Sequence, residues 1–320
     1  MTFEKTYGQT AIDPHESPSC SRRLLLGAGA LLAAGLGRGV EAFAMEIKGK
    51  PGRNSGYATV DGLRVYYELH GGAPNAGKTP IVLLHGGVMS IDTAFADDLL
   101  PRFARTRPVI AIEQQGHGHT ADRDGPPEVN RMVDDTAGVL AHLGVKQAHF
   151  VGHSLGGMIS TGMAIRHPNL VRSVTALSST YTLDGMLPEL VKMQRDDPAH
   201  QPSADLIPLL PTEADFTAWQ ASYQRNAPDP AAFDRVLAKL NKMLAEWKGW
   251  TQAQLRAVRA PVLLAIGDND FVRIEHAAEM ARLIPGAQLA VLPGTTHMSI
   301  LQRSAWLLPL IEARLGASQV

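Results

Sequence analysis

Three residue types, far apart along the chain, could together make an alcohol reactive. Ser154 stands in the run Gly152-His153-Ser154-Leu155-Gly156. A serine hydroxyl is a poor nucleophile at neutral pH and needs a base within hydrogen-bond reach, with a further group to orient that base. Downstream the chain offers both: acids in Gly267-Asp268-Asn269-Asp270 and a base in Pro293-Gly294-Thr295-Thr296-His297. The glycines two before and two after Ser154 remove Cβ atoms that would clash in a tight turn. The competing reading is a surface serine in a glycine-rich turn, so the flanking chain has to decide.

The flanks place each of these groups at the end of a strand. His149-Phe150-Val151 reads as a short buried strand running into the pentapeptide. Leu155 to His167 then carries Leu155, Met158, Ile159, Met163 and Ile165 near helical spacing, and Pro168 stops it. The apolar runs Val262–Ile266 and Leu289–Leu292 precede the acidic and histidine segments. All three groups can therefore converge on one edge of a sheet. Ile81–Leu84 and Val109–Ile112 are continuous apolar runs suited to strands covered on both faces, and Val174–Leu177 is another strand. Helical stretches at Thr93–Arg105 and Arg131–Leu143 separate them, and Tyr57–Leu69 alternates around Asp61-Gly62 as a hairpin. Strands alternating with helices predict an α/β fold with a mostly parallel, doubly wound sheet of about eight strands.

From Leu183 to Trp250 that rhythm stops. Thr212-Glu213-Ala214-Asp215 starts a helix with a capping box, and Asp229-Pro230 reads as a cap with proline at the first helical position. Phe233, Val236, Leu237, Leu240, Met243, Leu244 and Trp247 then share one helical face. The segment reads as a helical lid over the sheet's C-terminal edge, where open α/β sheets bind ligands. Trp219, Trp247, Trp250, Met186, Met193 and Met243 make it apolar and adaptable, so Met186, Trp219, Trp247 and the core residue Val88 are the candidate contacts to a hydrophobic small-molecule substrate. The same residues could instead pack the lid's own helices.

These motifs give the chain a family. From about Tyr57 onward it resembles the α/β-hydrolase superfamily, in its capped, single-domain branch, most weakly in the insertion. The resemblance implies that Ser154 is the nucleophile and His297 the base. It implies Asp270 as the acid, because the family places it three positions beyond a glycine that leaves the strand; Asp268 and Asp184 are the alternatives. It also implies two oxyanion donors: the backbone N–H of Leu155, and one after the third strand in His85-Gly86-Gly87, assigned to Gly87 with Val88 the runner-up. His85 itself reads as structural. The chain departs from the family at Glu113-Gln114-Gln115-Gly116-His117-Gly118, where Gln115 replaces a common arginine; that substitution places a subfamily and not the chemistry. His117 and His119 lack the carboxylate or cysteine pattern of a metal site, so no metal or cofactor is expected. The implied activity is a serine hydrolase acting on an ester or lactone through an acyl-enzyme. A carbon–carbon bond hydrolase or perhydrolase of the same fold is the alternative, and a non-catalytic binding member has no chemical need for the full set.

Bulk properties exclude other classes. A net charge of −1 gives no electrostatic case for nucleic acid or anionic membrane. The one cysteine, Cys20, lies near the N-terminus, so the rest of the chain has no internal disulfide and no thiolate chemistry. Ser21-Arg22-Arg23 opens a 13-residue apolar stretch, Leu24–Leu36, followed by Ala42-Phe43-Ala44. Basic residues, a short apolar run and a small-x-small site describe an export signal, and the paired arginines resemble the twin-arginine type. Thirteen residues are too few to span a bilayer, so no stable membrane insertion is expected after cleavage. The expected organisation is a signal at 1–44, a tether at 45–56, a hydrolase core at 57–182 and 251–320, and a cap at 183–250.

Overall fold

The computed structural model describes residues 54–316. The expected export signal and nearly all of the tether lie outside the described residues. Eight strands form one sheet: β1 Asn54–Val60, β2 Leu63–His70, β3 Ile81–Leu84, β4 Val109–Ile112, β5 Ala148–His153, β6 Val171–Leu177, β7 Val262–Asn269 and β8 Gln288–Thr296. Their spatial order is β1-β2-β4-β3-β5-β6-β7-β8. The β1–β2 and β2–β4 pairs are antiparallel, and every other pair is parallel. The hairpin turns at Asp61-Gly62, both with positive φ (45° and 75°), as a tight primed turn requires. β1 takes Asn54, Ser55 and Gly56 from the expected tether, because their partners Leu69, Glu68 and Tyr67 continue the ladder.

The helices are α1 Ile91–Phe95, α2 Leu99–Ala104, α3 Val129–His142, α4 Leu155–Arg166, α5 Pro188–Val191, α6 Glu213–Asn226, α7 Phe233–Glu246, α8 Gln252–Arg256, α9 Ile274–Leu283 and α10 Ser304–Leu315. Among the described residues none is long and apolar enough to cross a membrane. Alternate residues of the central strands feed two cores. Val82, Leu84, Ile110 and Phe150 pack with α3 and α4 residues on one face. Ile81, Leu83, Val109 and Val151 pack with Phe95, Phe103 and Leu307 on the other. Both faces are thus covered, as the unbroken apolar runs of β3 and β4 demand.

The strand order reverses at β3, with β4 on one side and β5 on the other. Such a switch point opens a crevice at the C-terminal ends of the two strands flanking it. The loop after β3 and the turn after β5 both meet there. Residues 183–250 contribute only helical segments, apart from one isolated bridge from Met186 to Val272. Two expectations need correction in the helices. Thr93–Arg105 is two short helices broken near Asp98, whose carboxylate is tied instead to Arg102 and to Ser304 of α10. Asp229 makes no side-chain cap; it pairs with Arg235, and a short 3-10 turn at Pro230–Ala232 delays the start of α7 to Phe233.

Candidate active site

Ser154 sits between β5 and α4 with φ 52° and ψ −115°. A left-handed φ at a residue with a Cβ is uncommon and marks a constrained turn. The close approach holds because a Cβ at Gly156 would overlap the Leu84 carbonyl, and one at Gly152 the Gly156 carbonyl. The Ser154 N–H donates to Leu177 O at 2.9 Å, which fixes the turn to β6.

His297 follows β8 directly, and Asp270 follows β7. His297 Nδ1 lies 2.8 Å from Asp270 Oδ1, with side-chain exposures of 4% and 0%. Burial alone would raise the Asp270 carboxyl; the charge and hydrogen bond of His297, with the Ser178 hydroxyl and the Val272 N–H, outweigh it and hold the carboxyl below its ordinary value. The Val272 N–H donates to the same Oδ1 at 2.9 Å. The Ser178 hydroxyl lies beside the Asp270 carboxylate and helps to stabilise its charge; both Asp270 Oδ2 and Ser178 Oγ are buried and fall short of full hydrogen-bond geometry. Ser178, at the end of β6, also has a positive φ of 48°. Phe271 stacks on the His297 ring with centroids 3.9 Å apart. With Nδ1 committed to the carboxylate, the ring's other nitrogen is the one left for chemistry.

Ser154 and His297 wall the same cavity of about 80 Å³. Their side chains are not hydrogen-bonded to each other in this geometry. Such bonds commonly tighten only when substrate is bound. His153 holds the loop that carries His297: its Nε2–H donates to the His297 carbonyl at 2.8 Å. Burial pushes His153 down to about 3, with the nearby His297 adding to the effect, so it is neutral at physiological pH.

The loop after β3 supplies donors. Leu155 opens α4, so its N–H has no partner within the helix and lies at the positive end of the helix dipole. The Gly87 N–H makes no hydrogen bond among the described residues. The Val88 N–H is already donated to His117 Nε2 at 2.9 Å, which removes Val88 as the alternative donor. His117 Nδ1–H in turn donates to Gln115 O. His85 bridges the same loops: Nδ1–H donates to Gly86 O, and Nε2 accepts from the Gln114 N–H. Burial pushes His85 down to about 3 and His117 to about 4, as their neutral bonding roles require. Arg123 stands near the substituted Gln115, paired with buried Asp135 and reaching Gln115 Oε1. His119 Nδ1 faces Glu113.

A family model described as alpha/beta hydrolase fold matches residues 79–304. The chain belongs to the α/β-hydrolase family. Its curated relatives include a 2-(acetamidomethylene)succinate hydrolase of Mesorhizobium japonicum, 28% identical over 69% of this chain and 82% of that protein. A 2-hydroxymuconate semialdehyde hydrolase of Pseudomonas sp. strain CF600 is 27% identical over 71% of this chain and 83% of its own. Among solved structures, Est816, described as an N-acyl homoserine lactone degrading enzyme, is 28% identical with a TM-score of 0.62, covering 80% of this chain and all but 1% of its own.

In this α/β-hydrolase the remaining site expectations divide. Val88, Met186 and Trp219 wall the cavity, but Trp247 does not. Trp247 falls just beyond α7 with extended backbone, and its ring packs edge-on against Trp250, 5.9 Å between centroids. Asp268 is exposed, with Oδ1 accepting from the Thr295 N–H, and Asp184 is at the surface paired with Arg195. Neither faces His297. Sequence reasoning missed Phe271, Met298, Gln194 and Asn241, all of which reach the cavity. The first two were findable as the neighbours of Asp270 and His297. The last two come from the cap by tertiary packing and left no local pattern.

Proposed function

We propose that this protein is a serine hydrolase that cleaves an ester or lactone of an uncharged, hydrophobic small molecule through an acyl-enzyme. One observation carries the reading: the buried Asp270–His297 pair opens onto the same cavity as Ser154, which stands on a positive-φ turn. In this mechanism Ser154 Oγ attacks the acyl carbonyl while His297 Nε2 takes its proton. The Gly87 and Leu155 N–H groups hold the resulting oxyanion, a contribution of roughly 3–4 kcal/mol for one well-placed donor. The imidazolium then gives the proton to the departing oxygen, and water repeats the sequence on the acyl group. Asp270 keeps the proton on Nδ1 and offsets the charge on the ring.

The lining supports a neutral substrate. Met89, Met158, Met186, Met243 and Met298 dominate it, with Trp219, Phe271 and Leu240, and among the described residues no lysine or arginine reaches it. A carboxylate substrate, of the kind the words muconate and succinate denote in the relatives' names, would enter without a cation to receive it. That weighs against the carbon–carbon bond reading. At about 80 Å³ the cavity suits a short acyl group, and five flexible thioethers are the side chains able to repack for a longer one. The test is a screen of wild type and Ser154→Ala against p-nitrophenyl esters of increasing chain length, γ- and δ-lactones, and vinylogous diketones. Ester or lactone turnover that vanishes in Ser154→Ala is expected. Turnover confined to the diketones, or unaffected by the substitution, refutes the proposal.

A further inference from the structure

The cavity carries a polar group, unpartnered in its wall, that the chemistry above does not use. Gln194 reaches it from the cap, whereas Ser154 and His297 reach it from the edge of the sheet. It lies in a five-residue π-helical turn, Lys192–Asp196, which directly follows α5. Single π turns are rare and recur at functional positions, because the extra residue re-aims a side chain. Here the turn buries Met193 and turns the neighbouring Gln194 into the cavity. Gln194 Oε1 is buried with no hydrogen-bond partner among the described residues. An unsatisfied buried acceptor is costly, and among the described residues no donor of the mainly methionine and leucine wall is bonded to it. Few polar groups in an apolar pocket are what fix the orientation of a ligand.

We propose that Gln194 is a specificity-determining residue that receives a secondary amide in the acyl part of the substrate. A carboxamide side chain offers an acceptor and a donor side by side, and a secondary amide presents the complementary pair. Its N–H satisfies the orphaned Oε1, and its carbonyl can take a bond from Nε2. Because Gln194 comes from the cap and Ser154 from the sheet edge, the amide lies away from the reacting carbonyl, with apolar chain between them. The inference rests on the serine-hydrolase reading and adds a substrate class to it.

The test compares p-nitrophenyl esters of N-acetyl-β-alanine and N-acetyl-γ-aminobutyric acid with their N-methylated forms and with hexanoate. Wild type should favour one of the N–H amides over its N-methyl form and over hexanoate by about tenfold or more in kcat/KM, the ordinary effect of leaving a buried polar group unpaired. Gln194→Leu should erase that preference, bringing the N–H ester, its N-methyl form and hexanoate to similar kcat/KM. The wild-type comparison stands without any variant, so a misfolded Gln194→Leu does not decide the matter. Equal rates for N–H and N-methyl esters in wild type overturn the inference while leaving the serine hydrolase intact. So does a preference that survives Gln194→Leu. Hydrolysis of no ester, hexanoate included, by wild type overturns both readings at once.

Discussion

Replacing Asp270 by asparagine should cost about 10³-fold in kcat, and the structure says why the loss is of that size. Oδ1 accepts two hydrogen bonds, from His297 and from the Val272 N–H. An amide must therefore put its oxygen there, which turns its NH2 toward the Oδ2 position, beside the Ser178 hydroxyl that can accept from it. The fold and the Nδ1–H tautomer are both preserved. What disappears is the negative charge facing an imidazolium. Two charges about 4 Å apart at an effective dielectric near 20 attract by roughly 4 kcal/mol, close to three powers of ten in rate. KM should change little, because the charge matters only after proton transfer. Asp268→Asn is the internal control: that side chain is exposed and bonded to the Thr295 N–H, and its rate should stay near wild type. The assay is steady-state hydrolysis of a short p-nitrophenyl ester, with thermal unfolding confirming that each variant is folded. A folded Asp270→Asn within tenfold of wild type, or Asp268→Asn as the more damaged of the two, would refute the assignment.

Two further outcomes follow from the packing. Gly156→Ala should yield no soluble, folded enzyme, because its Cβ would overlap backbone atoms of Leu84 and His85 at the heart of the sheet; a variant with normal thermal stability and activity would show that α4 does not need so close an approach. Stability should also fall in acid. His85 and His153 are pushed down to about 3 and His117 to about 4, all below the ordinary 6.5. Between about pH 6.5 and 4 the unfolded chain therefore binds more protons than the folded one, and stability rises with pH across that window and levels off above it. Each such histidine contributes about 1.4 kcal/mol per pH unit, roughly 4 for the three together. The urea midpoint should be flat from pH 8 to 7 and drop steeply below 6; a midpoint unchanged down to pH 4.5 would contradict the buried neutral histidines.

What could be read from the sequence was what local chemistry decides. β3 and β4 fall where their apolar runs lie, since strands buried on both faces leave little room for polar residues. The capping box at Thr212 and Asp215 forms as its spacing demands. Where the sequence misled, side chains outside the local pattern were involved. Asp98, held by Ser304 of α10, sits at the break in the expected helix, and Asp229 pairs with Arg235 six residues on instead of capping. β7 and β8 run on to Asn269 and Thr296, past their apolar stretches, because they pair with each other there. The residues proposed as catalytic could be placed together from the sequence because each follows a strand. The cavity's far wall was not, because Gln194, Asn241 and Pro211 are brought to it by packing of the cap, and the hydrophobic face of α7 extends to Leu244 but leaves Trp247 outside.

Ser154, in this reading, is an activated nucleophile. Treatment of the folded enzyme with a fluorophosphonate, followed by intact mass and peptide mapping, tests it most directly. One adduct per chain, located on Ser154 and formed far more slowly in His297→Ala, is the predicted result. An adduct on any other residue, or no adduct on the folded wild type, would contradict the account.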